Sequence, residues 1–141
     1  MFSWVATETL IMAVRLHEDR GLVLGLQEKV FAFDRRIRFC GVLDKMGRVT
    51  TGGMRPGLKS LEPDEEAERI DIQMALSGSM MQTASQFLGK TSFIIALRDK
   101  MMLIAFPKEQ GATVLVTAEP DLPLEEVKSL RKVVDEDYPS K

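Results

Sequence analysis

Residues 63–97 read PDEEAERIDIQMALSGSMMQTASQFLGKTSFIIAL, and this pattern sets the architecture. Pro63 suits the first position of a helix. Asp64, Glu65 and Glu66 would fill its first turn, where the helix dipole favours negative charge. An apolar helical pattern then runs to about Leu88, and Gly89 is the expected stop. Residues 93–97 are apolar without alternation. A strand reads that way when both of its faces are covered, or when its free edge meets another chain.

Upstream of this helix, Ile37–Leu43 reads as a strand, with Ile37, Phe39, Gly41 and Leu43 on one side and Arg38, Cys40 and Val42 on the other. Asp44-Lys45-Met46-Gly47 is a turn with Gly at a position that needs positive φ. Residues 48–54 are the return strand, loosened by Gly52-Gly53, and residues 55–61 form a Pro/Gly loop. Still earlier, Leu22, Leu26, Val30 and Phe33 lie on one face of a helix closed by Asp34-Arg35-Arg36. Residues 1–21 have no clean stripe and read as an appended arm.

Downstream, residues 91–97 and 101–106 are strands joined by Arg98-Asp99-Lys100. A linker over 107–111 leads to a further strand over 112–117. Pro120 and Pro123 open a last helix with Leu124, Val127, Leu130 and Val134 as its stripe, and residues 135–141 read as a polar, frayed end. The predicted order is therefore α-β-β-α-β-β-β-α. This is an α+β fold, a five-stranded antiparallel sheet with helices on its faces, forming one domain over residues 22–137 with a short tail at 138–141.

The central helix carries more apolar surface than one sheet needs. Ile70, Met74, Met81, Ala84 and Leu88 share one side. Ile72, Leu76, Met80 and Phe87 lie about 120° away, which widens the apolar arc to about 200° against the ~100° of an ordinary surface helix. One side can cover the sheet. The other needs a second cover, supplied by the arm, another helix or a partner chain. Two readings follow: burial between the sheet and the flanking helices, or a dimer interface. For the second, the candidate interface residues are Ile72, Leu76, Met80, Phe87, Phe93 and Ile95. Mid-helix Gly78 costs roughly 1 kcal/mol relative to Ala and implies a packing reason.

Composition narrows the chemistry. The chain has 141 residues, 45% hydrophobic and 28% charged, as an ordinary soluble globular domain does. The net charge of -2 argues against a general nucleic-acid or anionic-membrane binder. One Cys and one His build neither a disulfide nor a structural zinc site. No apolar run approaches the ~20 residues of a membrane-spanning helix, and no secretory signal opens the chain, so a cytoplasmic location is expected. No catalytic, cofactor-binding or metal-binding residues are assigned. Gly52-Gly53-Met54-Arg55-Pro56-Gly57-Leu58-Lys59-Ser60 nearly spells a phosphate loop, but Leu58 separates Gly57 from Lys59 and the following helix begins with acids. Asp64, Glu65, Glu66 and Glu68 are explained by dipole complementation. His17 has no nucleophile beside it, and Cys40 reads as a packing residue, with redox sensing through Arg38 as the alternative. Arg35, Arg36 and Arg38 form a small basic patch without interleaved aromatics. Nine methionines are left to explain, five of them on the central helix and the strand at 101–106, where they serve either a core or an adaptable surface.

The stretch IRFCGVLDKMGRVTTGGMRPGLKSLEPDEE, residues 37–66, resembles an archaeal (thaumarchaeal) family of small cytoplasmic proteins, as do Ala105-Phe106-Pro107 and Val116-Thr117-Ala118-Glu119-Pro120. That likeness implies no particular activity. In element order the chain is similar to roadblock and profilin-like (longin-like) domains. This resemblance implies a central sheet with the long helix on one face and the terminal helices on the other. It also implies dimerisation through the long helix and the strand after it, and a role in regulating or scaffolding small GTPases. The leading expectation is a non-enzymatic interaction or regulatory module acting as a homodimer. The alternative is a small-molecule sensor of PAS or GAF type, and an enzyme ranks third because no nucleophile–base–orienter set is visible.

Overall fold

A computed structural model describes residues 25–81 and 85–138. The predicted arm over residues 1–21, His17 and residues 139–141 lie outside this range. The described elements are α1 (residues 25–33), β1 (Ile37–Leu43), β2 (Val49–Met54), α2 (Asp64–Met81), α3 (Ser85–Leu88), β3 (Ile94–Leu97), β4 (Met102–Pro107), β5 (Thr113–Ala118) and α4 (Leu124–Asp137). A short turn, Glu109–Gly111, joins β4 to β5. The strands form one sheet in the order β2-β1-β5-β4-β3, antiparallel at every pairing. The fold class is α+β, as the pattern predicts.

The sheet is covered on both faces. Leu26 and Val30 of α1 and Val127, Leu130 and Val134 of α4 pack with Cys40, Val42, Met102, Ile104, Phe106, Val114 and Val116. On the opposite face Met74 and Ala75 of α2 pack with Leu43, Leu103, Ala105 and Leu115. The long helix and the terminal helices thus lie on opposite faces. Every residue of β4 and β5 is buried, whereas β3, the strand whose residues 93–97 read as continuously apolar, is only half-buried.

Three local expectations change. Ile37 joins the face of Cys40 and Val42 rather than that of Phe39 and Leu43. The cause is an irregularity between Ile37 and Phe39 in the pairing with β5, which resets the alternation by one residue. The strand expected from residue 91 begins at Ile94. The last helix continues through Asp135 to Asp137 instead of fraying. Its final turns are tied by ion pairs, Lys108 with Asp135 and Lys29 with Asp137 at 3.0 Å. Two of the three arginines of the basic patch are paired. Arg36 holds Asp34 at 3.0 Å, and Arg38 holds Glu119 at 2.9 Å.

Candidate interaction surface

The α2 helix meets the sheet through its small residues. A Cβ on Gly78 would stand 3.3 Å from Cγ of Pro107, so the missing side chain lets the helix lie close over the end of β4. At the other end the β1–β2 turn presses against the helix. Gly47 has φ +83, and a Cβ there would fall 2.5 Å from Cα of Ile72. Asp44 shapes this turn by accepting hydrogen bonds from the amides of Met46 (2.8 Å) and Arg48 (3.0 Å). Those amide donors hold its carboxyl below the usual carboxylate range. The acidic first turn of α2 is exposed, as a dipole-compensating role requires.

With Met74, Ala75 and Gly78 turned to the sheet, the second apolar side of α2 faces outward. Ile72, Leu76, Met80 and Met81 are exposed, Met80 at 70%. Phe87 and Leu88 of α3 continue the exposure at 85% and 84%. Of the two readings of this helix, the described residues support an outward apolar face rather than burial between two layers. Met81 and Leu88, placed by helical spacing on the sheet side, are exposed as well.

Phe93 and Ile95 do not join this surface. Both are half-buried against the layer beneath α1 and α4, and Phe93 tilts against Phe106 with ring centroids 6.1 Å apart. Their side chains are committed to the core. What β3 presents outward is its position: among the described residues it is the terminal strand, paired with β4, and Leu97 at its end is exposed.

The sequence singled out other residues that the structure accounts for as packing. Cys40 is fully buried, and burial pushes its thiol up to about 12, so it stays protonated and unreactive. The glycine-rich stretch is strand and connection rather than a phosphate cradle. Its Arg55, which sequence reasoning passed over, ties the end of α1 to β1. Nε donates to the carbonyl of Ile37 at 2.7 Å, and one terminal nitrogen donates to the carbonyls of Phe31 and Asp34, each at 2.8 Å. The guanidinium also lies 5.0 Å from the centre of the Phe31 ring. The fork thereby satisfies carbonyls that the end of a helix leaves open.

A second feature was also missed. An open cleft of about 610 Å³ lies where the end of α2, the segment before β3, the β4–β5 connection and α4 converge. The Lys108 side chain, only 1% exposed, pairs there with Asp135. Nothing in the local pattern marks Lys108, because the partner that permits its burial is supplied by α4. Among the described residues, no group of acids, His and Cys could hold a metal ion, and no helix is long and apolar enough to cross a membrane.

The fold is of the roadblock-like class. It is similar to the structure of the gliding protein MglB from Thermus thermophilus, with a TM-score of 0.67 and 15% identity over 85% of this chain and 87% of that one. It is also similar to MglB in a tetrameric arrangement, with a TM-score of 0.55 and 16% identity over 79% of this chain and 89% of that one. Myxococcus xanthus MglB aligns with a TM-score of 0.50 and 12% identity, over 77% of this chain and 86% of that one. At these identities the likeness is one of fold. No family model and no curated protein matches the chain.

Proposed function

We propose that this chain is a non-enzymatic protein-interaction module, a cytoplasmic regulatory scaffold that works as a homodimer. The observation that carries this reading is the row of large apolar side chains, Ile72, Leu76, Met80, Phe87 and Leu88, exposed along α2 and α3. A surface of this kind costs solubility unless a partner covers it. The terminal strand β3 lies next to β4 in the sheet that α2 covers, so a partner covering this side of the molecule can also pair with its edge. Similarity to MglB, one structure of which has a tetrameric arrangement, supports self-association. The roadblock resemblance supplies a small GTPase as the regulated partner. A second reading, ligand sensing, keeps the open cleft as its support.

Size-exclusion chromatography with light scattering tests the proposal. The full chain is expected to run as a dimer across the micromolar range, and Met80→Glu as a folded, soluble monomer by the same measurement with circular dichroism. A wild-type monomer throughout that range refutes the homodimer. A variant that stays dimeric, or unfolds, refutes the assignment of this helix face.

A further inference from the structure

We propose that the cleft at the β4–β5 end of the sheet is a binding site for a small oxyanion, a molecule bearing a carboxylate or phosphate group. Its volume of about 610 Å³ falls within the range that small-molecule sites occupy. Four separate parts of the chain supply its walls, so the space is a product of the tertiary fold and not of one loop.

The polar lining is unbalanced towards donors. Its charged side chains are Lys90, Lys108 and Arg131 against Glu109 and Asp135. Asp135 is already engaged through both oxygens, one accepting from the Lys108 ammonium and the other facing Nε of Arg131 at 3.4 Å. Glu109, exposed like Lys90, offsets one of the remaining cations and leaves a surplus of one. What remains to face a ligand is the rest of the half-exposed Arg131 guanidinium, the exposed Lys90 ammonium and the hydroxyls of Ser79 and Ser92. A ligand rich in acceptor oxygens satisfies these groups, and a guanidinium beside an ammonium favours one that is charged.

The backbone of the site is also unusual. Gln110, on the wall of the cleft, has φ +61 and is the one non-glycine residue in the left-handed region among the described residues. Such conformations persist where surrounding structure holds them, and they concentrate at ligand sites. The buried Lys108–Asp135 pair, one turn-residue away, anchors this connection to α4.

The test is a two-dimensional ¹⁵N–¹H NMR titration of the full chain with inorganic phosphate and, separately, with citrate, ionic strength held constant with sodium chloride. The expected result is saturable shifts at Ser79, Lys90, Ser92, Gln110 and Arg131 with at least one of the two anions. Lys90→Gln leaves the pairing of Asp135 untouched, and Arg131→Gln removes one of its two cations. Each is expected to weaken binding by about tenfold, the loss typical of one charge-assisted contact, with the remaining spectrum unchanged. Shifts that rise linearly without saturating for both anions overturn the proposal. So does saturation that both variants leave unchanged.

Discussion

Replacing Arg55 with methionine is expected to cost about 3.5 kcal/mol of folding free energy, because the residue holds the first helix to the sheet by a geometry no other side chain reproduces. Three carbonyl oxygens, those of Phe31, Asp34 and Ile37, accept from one guanidinium at 2.7–2.8 Å. Hydrogen bonds to a charged group contribute about 1.5–3 kcal/mol each, and a half-buried site lets water recover part of that, leaving roughly 1 kcal/mol per bond. Loss of the contact with the Phe31 ring adds about 0.5 kcal/mol. For a chain of this size the sum lowers the melting temperature by about 10 °C. Urea denaturation followed by circular dichroism measures the loss, with wild type and variant at one protein concentration because self-association shifts apparent stability. Arg55→Lys distinguishes charge from geometry: an ammonium reaches one carbonyl at a time, so it is expected to restore less than half of the loss. A methionine variant within about 0.5 kcal/mol of wild type refutes the tether, and full rescue by lysine refutes the role of the fork.

Three further outcomes follow from the geometry. Gly47→Ala forces a Cβ into the backbone of α2 at a positive φ, and is expected to lower stability by about 3 kcal/mol, read as a lower urea midpoint at unchanged slope. Burial, with Glu62 and Glu68 nearby, pushes Asp71 up from 3.8 to about 6. The native state therefore holds a proton that the unfolded chain releases, so this group stabilises the fold below about pH 4 and loses that contribution as pH rises through about 6. Asp71→Asn removes the slope, and its stability relative to wild type should rise by about 1 kcal/mol across that window once solvent screening is allowed for, measured by urea titrations at stepped pH. Cys40 is expected to resist a thiol reagent in the native state and to react only at the rate of unfolding; immediate labelling of folded protein would contradict its burial.

The elements that depend on local chemistry were legible in the sequence. Asp44 to Gly47 announces its turn, Pro63 and the following acids announce α2, and the apolar segments over 101–106 and 112–117 announce strands. The two-sided apolar pattern of α2 was also legible; Leu76 and Met80 of one side are exposed, and so are Met81 and Leu88 of the other. What stayed hidden depends on tertiary neighbours. The side on which Ile37 lies turns on a pairing irregularity with β5, far off in the chain's second half. Phe93 and Ile95 read as edge residues, but Phe106 and the layer under the terminal helices claim their side chains. Asp135 reads as part of a polar tail because its partner, Lys108, sits on a distant connection. The same holds for Arg55, whose acceptors come from α1 and β1.

The strand order has a consequence for how the chain comes into being. The two outer pairs, β1 with β2 and β3 with β4, are local hairpins that can form as soon as their residues exist. They cannot join each other, because the place between β1 and β4 belongs to β5, the last of the five to be made. A nascent chain therefore carries two unclosed half-sheets, with their apolar faces open, until residue 118 has left the ribosome, and a chain stopped short of that point has no route to a continuous core. Completion by a single late, central strand makes folding nearly all-or-none with respect to length. It also makes the C-terminal third of the chain the part whose loss the fold can least survive.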